Sequence, residues 1–150
     1  MSTPPISRPT GTLSPPSSRS LSPPPFVRPG KVLIVDDDPI VLEVTRERLA
    51  RAGYDVHTRE EALGTANWIF ENHPDFALLD IQMPALSGTE LASLLTRNVR
   101  TRQTGIILYS SRTAASMAQM VRSTGALGAI EKTSNSELFL VQFQRLAQRG

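Results

Sequence analysis

Four apolar residues, Val32-Leu33-Ile34-Val35, stand between Lys31 and three consecutive acids, Asp36-Asp37-Asp38. A continuous β-branched run without alternation is the pattern of a strand buried on both faces of a parallel sheet. Pro39 suits the first position of a helix, with Asp38 as its N-cap. Ile40, Val41, Val44 and Leu49 then give a helical stripe, which Gly53 closes in a left-handed conformation. The alternation repeats downstream. Tyr54–Thr58 reads as a short strand and Glu60–Asn72 as a helix ending before Pro74. Phe76–Asp80 is a second buried strand that closes on an acid, and residues 81–88 form a loop punctuated by Pro84 and Gly88. Helices are expected at Thr89–Arg97, at Thr113–Thr124 (capped by Gly125) and at Ser136–Gln148, with strands at Gly105–Tyr109 and Ala126–Glu131.

Five strands alternating with five helices in about 120 residues predict an α/β fold, a doubly wound parallel sheet wrapped on both faces. Right-handed crossovers leave few topologies for it. In such sheets the chemistry lies beyond the carboxyl ends of the strands.

Composition divides the chain in two. Residues 1–29 hold nine of the twelve prolines and seven serines, with almost no periodic apolar pattern. Such a segment buries too little surface to offset its ordering entropy, and is expected to be a disordered, partly polyproline tail, a tether or docking element at most. Residues 30–150 then form one domain. The formal charge of +2 separates in the same way. The tail carries Arg8, Arg19 and Arg28 and no acid, leaving 13 basic and 14 acidic residues in the folded part. A nucleic-acid footprint needs basic residues clustered on one face. Arg97, Arg100 and Arg102 are the tight group, and they read as a solvated helix end that complements the dipole. Cysteine is absent, which excludes disulfides and thiolate chemistry. No apolar run approaches the ~18 residues of a membrane span, and the N-terminus lacks the apolar stretch of a secretory signal, so a cytoplasmic location is expected.

The strand ends carry the candidate chemistry. The first strand ends in Asp36-Asp37, the third in Asp80, the fourth in Ser110 and the fifth in Glu131-Lys132. If the first and third strands are neighbours, three carboxylates converge, repel and raise one another's pKa values. A hard divalent cation resolves this, and oxygen ligands without His or Cys favour Mg²⁺. With metal on Asp37 and Asp80, one oxygen of Asp80 is free to attack phosphorus. Lys132 can reach a phosphoryl oxygen as a point charge, and Ser110 can donate to another.

Val35-Asp36-Asp37-Asp38-Pro39, Leu79-Asp80-Ile81-Gln82-Met83-Pro84 with Gly88, Tyr109-Ser110-Ser111, and Gly125-Ala126 leading to Lys132 resemble, in order and spacing, the receiver domains of two-component response regulators. The resemblance covers about residues 31–148. It implies a flavodoxin-like sheet of strand order 2-1-3-4-5, with Asp80 as phosphoacceptor. It also implies Asp37 as direct ligand of Mg²⁺, Asp36 acting mainly through water, and the backbone carbonyl of Gln82 as a further ligand. Ser110 would be the switching hydroxyl and Lys132 the phosphate-binding cation. The phosphoryl group would come from a histidine kinase, a phosphotransfer protein or a small phosphodonor. Two positions depart from the family: Thr133 stands where proline usually follows the lysine, and Ala129 stands where Tyr or Phe is usual.

Because the sequence ends after the last helix, output is expected through a partner or a homodimer. The expected surface is the fourth helix, the fifth strand and the last helix, without direct nucleic-acid binding or membrane insertion. In that last helix Phe139, Phe143, Leu146 and Ala147 suffice for a core face, and Leu138, Leu140 and Val141 are surplus. Three other functions compete. Asp36-Asp37-Asp38 also fits the acid-x-acid pattern of haloacid-dehalogenase phosphatases, with Asp36 as nucleophile. A flavodoxin-like cofactor binder would need a hydroxyl- or Gly-rich phosphate loop after the first strand, and none is present. A degenerate receiver would serve as a phosphorylation-independent scaffold. For the tail, deletion of residues 1–28 is expected to leave the melting temperature and the phosphorylation of Asp80 unchanged. A large loss of stability on calorimetry would contradict that reading.

Overall fold

The computed structural model describes residues 30–150, so the expectations for residues 1–29 lie outside the described residues. Five strands, β1 (Lys31–Val35), β2 (Asp55–Arg59), β3 (Phe76–Asp80), β4 (Gly105–Ser110) and β5 (Gly128–Glu131), form a parallel sheet in the order β2-β1-β3-β4-β5. Five helices alternate with them: α1 (Pro39–Arg51), α2 (Thr65–Asn72), α3 (Gly88–Arg97), α4 (Ala114–Thr124) and α5 (Ser136–Ala147). The fold class and strand order are those expected.

Period-two alternation along the central strands builds two cores from one sheet. Leu33, Val35, Ala77, Leu79, Ile106 and Leu108 face Ile69 of α2, Leu91 and Leu95 of α3 and Met117 of α4. Val32, Ile34, Leu78, Ile107, Tyr109 and Ile130 face Leu42 and Leu49 of α1 and Phe139, Phe143 and Leu146 of α5. The apolar residues of β1 and β3 are almost wholly buried, which is why those strands read as unbroken apolar runs.

Several boundaries differ from the sequence expectation. The second strand runs one residue later, the fifth starts at Gly128 rather than Ala126, and α3 begins at Gly88. The second helix starts at Thr65, not Glu60. Gly64 precedes it at φ 83°, a left-handed conformation that a helix cannot run through, and the Arg59 guanidinium donates to the Leu63 carbonyl and the Thr65 hydroxyl. Residues 60–64 are thereby held as a turn.

The phase of α1 is also corrected. Its start is as expected, since Asp38 accepts from the Ile40 N–H at 2.9 Å and Pro39 opens the helix. Its buried residues, however, are Leu42, Thr45 and Leu49, whereas Ile40 and Val44 are 72% and 43% exposed. Of the expected stripe, Leu49 is buried and Val41 packs against the core, whereas Ile40 and Val44 face outward and Leu42 takes the inner position. The Thr45 hydroxyl pairs with the Tyr109 hydroxyl at 3.2 Å inside the core, and that contact turns Ile40 and Val44 outward. In α5, Phe139, Phe143 and Leu146 are buried as expected, while Leu138 and Val141 are exposed and Leu140 packs against the core. Leu42→Ala should therefore lower stability by about 2–4 kcal/mol, and Ile40→Ser should stay within about 0.5 kcal/mol of the parent. Urea denaturation of both variants checks the phase, and the reverse order of effects would refute it.

Candidate functional site

Register assembles the site. Val35 pairs with Leu79, so the next residues, Asp36 and Asp80, emerge side by side on neighbouring strands. Asp80 in turn pairs with Tyr109, and Ser110 pairs with Glu131, the residue before Lys132. The acids, the hydroxyl and the lysine thus share one rim at the carboxyl ends of β1, β3, β4 and β5. Carboxylate oxygens of Asp36, Asp37 and Asp80 lie within 4.8 Å of one another, with Asp36 and Asp80 buried and Asp37 exposed.

Each side chain is held differently. Asp36 has both oxygens engaged: Oδ1 accepts from the Asp38 N–H at 2.9 Å, and Oδ2 lies 2.7 Å from Lys132 Nζ. Asp80 Oδ1 accepts from the Gln82 N–H at 3.2 Å and lies 3.7 Å from Lys132 Nζ. Asp80 Oδ2 has no hydrogen-bond partner among the described residues. The Lys132 N–H donates to the Ser110 carbonyl at 2.7 Å, tying β5 to β4 beside the site. Its ammonium also lies 5.5 Å from the centroid of the Tyr109 ring. The Ser110 hydroxyl is buried and accepts from the Arg112 N–H at 3.2 Å. It makes no contact with the acids or Lys132 among the described residues. The Gln82 N–H is thus the group of that residue that contacts Asp80 among the described residues.

Gly88 has a larger role than punctuation. A β-carbon there would sit 2.0 Å from the Asp80 backbone carbonyl, so the start of α3 closes directly onto the end of β3. The closure is fixed by a capping box, in which Glu90 N–H donates to Ser87 Oγ and Ser87 N–H donates to Glu90 Oε1. Ala85, at φ 71°, turns the loop before it. The site itself is an open rim. A cleft of about 900 Å³ lies elsewhere, among Lys31, Asp75, Gly105 and Leu127, and shares no residue with it.

Electrostatics follow from this crowding. Burial pushes the Asp80 carboxyl above its ordinary range, and the charges of Asp36 and Asp37 add to that, against the Gln82 N–H and Lys132. For Lys132 burial alone would lower the pKa, but the hydrogen bond and charge of Asp36, with Asp80, prevail and raise it. Three carboxylates against one ammonium leave a formal excess of two negative charges in an all-oxygen cluster. That donor set and that excess fit a hard divalent ion such as Mg²⁺. Asp36, Asp37 and Asp80 would hold it.

The sequence matches the family described as response regulator receiver domain over residues 32–143, most of the chain. The chain belongs to the receiver-domain family of response regulators. It is 30% identical over 125 residues to the response regulator MprA of Mycobacterium sp. (strain KMS), covering 81% of this chain and 52% of that protein. The receiver thus spans about half the length of that curated relative. It is 26% identical to the polar-differentiation response regulator DivK of Brucella ovis, covering 73% of this chain and 89% of that one. Among solved structures, the chemotaxis protein CheY4 of Vibrio cholerae superposes with a TM-score of 0.72 at 26% identity, covering 79% of this receiver and 98% of that chain.

Two receiver residues had no place in the sequence-based site, Tyr109 under the lysine and Thr45 on its hydroxyl. Tyr109 could have been suspected from its position before Ser110. Thr45 had no signal, because a lone threonine in a helix is uninformative. The raised Asp80 pKa predicts a stability effect with a definite sign. An acid whose folded pKa exceeds its unfolded value keeps its proton longer when folded, so ionising it costs stability. The penalty is absent below the unfolded carboxylate pKa, grows as pH rises towards the folded value, and is complete above it. Asp80→Asn should therefore stabilise the metal-free receiver at pH 7 by roughly 1 kcal/mol, a few degrees in melting temperature. The gain should shrink in acid. Mg²⁺ should raise the melting temperature of the parent more than that of the variant. Scanning calorimetry with and without Mg²⁺ checks both.

Proposed function

We propose that this receiver is a phosphorylation switch with Asp80 as the phosphoacceptor. One observation carries the reading: Asp80 Oδ2 has no protein partner beside a lysine ammonium, whereas Asp36 is buried with Oδ1 bound by the Asp38 N–H and Oδ2 facing that ammonium at 2.7 Å. This also disfavours the phosphatase alternative, which needs Asp36 as nucleophile. In the step envisaged, Asp80 Oδ2 forms a bond to phosphorus as the P–N bond of a donor phosphohistidine breaks. The imidazole nitrogen leaves with the electron pair and regains a proton from solvent. Lys132 shifts from Asp36 towards the phosphoryl oxygens as a point charge, and the Ser110 hydroxyl leaves the Arg112 N–H to donate to one of them. Asp37, Asp80 and the Gln82 carbonyl, with Asp36 behind them, would hold Mg²⁺, which would supply charge neutralisation at those oxygens.

The donor is a histidine kinase or a histidine phosphotransfer protein, with small phosphodonors as substitutes. Output runs to a partner or a second copy over α4, β5 and α5, where exposed Leu138 and Val141 support an apolar contact. The receiver acts as a switch, not as an enzyme for a free substrate. No helix among the described residues is long and apolar enough to cross a membrane. A scaffold reading draws on Ala129, a methyl group packed against the α3–α4 core where an inward-turning ring would otherwise couple the site to β5.

One experiment separates these readings. With Mg²⁺ and acetyl phosphate, the receiver should gain an acid-stable, base-labile phosphoryl group that Asp80→Asn abolishes. Beryllofluoride with Mg²⁺ should shift amide resonances from Ser111 to Lys132, and Ser110→Ala should weaken those shifts without preventing binding. Full labelling of Asp80→Asn combined with its loss in Asp36→Asn would establish the phosphatase. Shifts confined to the acidic pocket would establish the scaffold.

A further inference from the structure

Lys132 must hold its ammonium against Asp36 and then move it to a phosphoryl group. Its neighbour, Thr133, does not stiffen the chain as proline would, because its φ is free. The turn between β5 and α5 is fastened at its two ends. On the β5 side the Lys132 N–H is bound to the Ser110 carbonyl, and on the α5 side the Asn135 N–H is bound to Thr133 Oγ1 while Asn135 Oδ1 caps α5 at the Leu138 N–H. Between these points stands the Thr133 carbonyl. It accepts a hydrogen bond at 2.8 Å from Nη1 of Arg48, which reaches across from α1 over a sequence separation of 85 residues.

Arg48 is half-buried, its Nε is enclosed with no acceptor among the described residues, and no carboxylate pairs with it among them. The guanidinium instead lies 5.6 Å from the centroid of the Phe139 ring. Its polar contact across the fold is the one to the Thr133 carbonyl, 85 residues away in sequence. One turn earlier, Thr45 of the same helix holds the hydroxyl of Tyr109, whose ring lies beneath the Lys132 ammonium. Helix α1 therefore grips the lysine twice, once under its head and once at the carbonyl that follows it.

We propose that Arg48 is a positioning residue for Lys132, holding the turn that carries the lysine by the Thr133 carbonyl and acting on phosphoryl capture through Lys132 alone. This inference rests on the phosphoacceptor reading above. It makes α1 a part of the phosphorylation machinery at a residue that touches neither metal nor phosphate.

The test compares the parent with Arg48→Met, Arg48→Lys, Lys132→Ala and the double variant Arg48→Met/Lys132→Ala, all in the full chain. Arg48→Met should slow labelling by acetyl phosphate, and weaken beryllofluoride binding, by about tenfold, the scale of a small misplacement of a catalytic group. Its Mg²⁺ half-saturation, measured by calorimetry, should stay within about twofold, and its melting temperature should be unchanged or higher. Arg48→Lys, which keeps one donor for the carbonyl, should retain most of the rate. In the Lys132→Ala background Arg48→Met should add nothing, as required of two residues acting as one unit.

An equal labelling rate in Arg48→Met, an undiminished further loss in the Lys132→Ala background, or a loss matched by falls in melting temperature and Mg²⁺ affinity would each overturn the inference while leaving the receiver reading intact. Should Arg48→Met not fold, Arg48→Lys and the parent decide. In the parent, beryllofluoride with Mg²⁺ should shift the Arg48 Nε–H resonance, and a static signal would overturn the inference. A parent chain that neither labels nor binds beryllofluoride overturns the receiver reading and this inference with it.

Discussion

Crowding of three carboxylates at the ends of β1 and β3 is the constraint on which the rest of this receiver depends. Asp36 and Asp80 are brought side by side by parallel register, and burial leaves them little water with which to relieve their repulsion. A free chain would separate them. Here the two central strands are clamped by apolar cores on both faces, so the acids cannot move apart without opening the sheet. The relief must come from outside the two strands. Lys132 arrives from the edge strand β5, and its head is drawn to Asp36 at 2.7 Å while standing 3.7 Å from Asp80. That asymmetry leaves Asp80 Oδ2 without a hydrogen-bond partner among the described residues.

The same constraint accounts for the loop after β3. The chain must leave Asp80 quickly enough to keep the rim open, yet start α3 against the sheet. Ala85 in a left-handed conformation turns it, and Gly88 admits the helix to contact with the Asp80 backbone. A side chain at residue 88 would push α3 outward or rotate Asp80, either of which disturbs the carboxylate cluster. Helix capping by Ser87 and Glu90 then fixes where that contact occurs.

Much of this was legible in the sequence because buried parallel strands advertise themselves. Val32–Val35 and Phe76–Asp80 are apolar on both faces, and each ends on an acid, so the rim could be inferred before the sheet order was known. Helix α1 resisted the same reasoning. Ile40, Val41, Leu42 and Val44 put apolar side chains on more than one face, so periodicity alone admits two phases. The choice between them is made by Thr45 and Tyr109, 64 residues apart, through a hydrogen bond that no local pattern signals. The start of α2 failed for a related reason. Glu60, Glu61, Ala62 and Leu63 are fair helix formers, and what excludes them is the conformation of Gly64 together with the reach of Arg59. Sequence patterns record burial well and contacts between distant polar groups poorly.

Those distant polar groups give the two sides of the sheet unequal parts in the site. Ala129 faces the α3–α4 core and offers a methyl group there. Tyr109 faces the α1–α5 core and offers a ring that touches three things at once: the Lys132 ammonium, the Thr45 hydroxyl and the Phe139 ring, at 5.5, 3.2 and 5.6 Å by centroid or heavy-atom distance. Phe139 carries the Arg48 guanidinium, and Arg48 returns to the turn after Lys132. The circuit is closed, and each of its members is packed against the next. Rings and a planar cation resist deformation, because close-packed groups lose contact energy steeply when a gap opens. A displacement of Lys132 therefore meets a stiff set of contacts on the α1–α5 side. In this receiver the lysine, rather than a ring on β5, is the group at the acidic rim that contacts connect to α1 and α5.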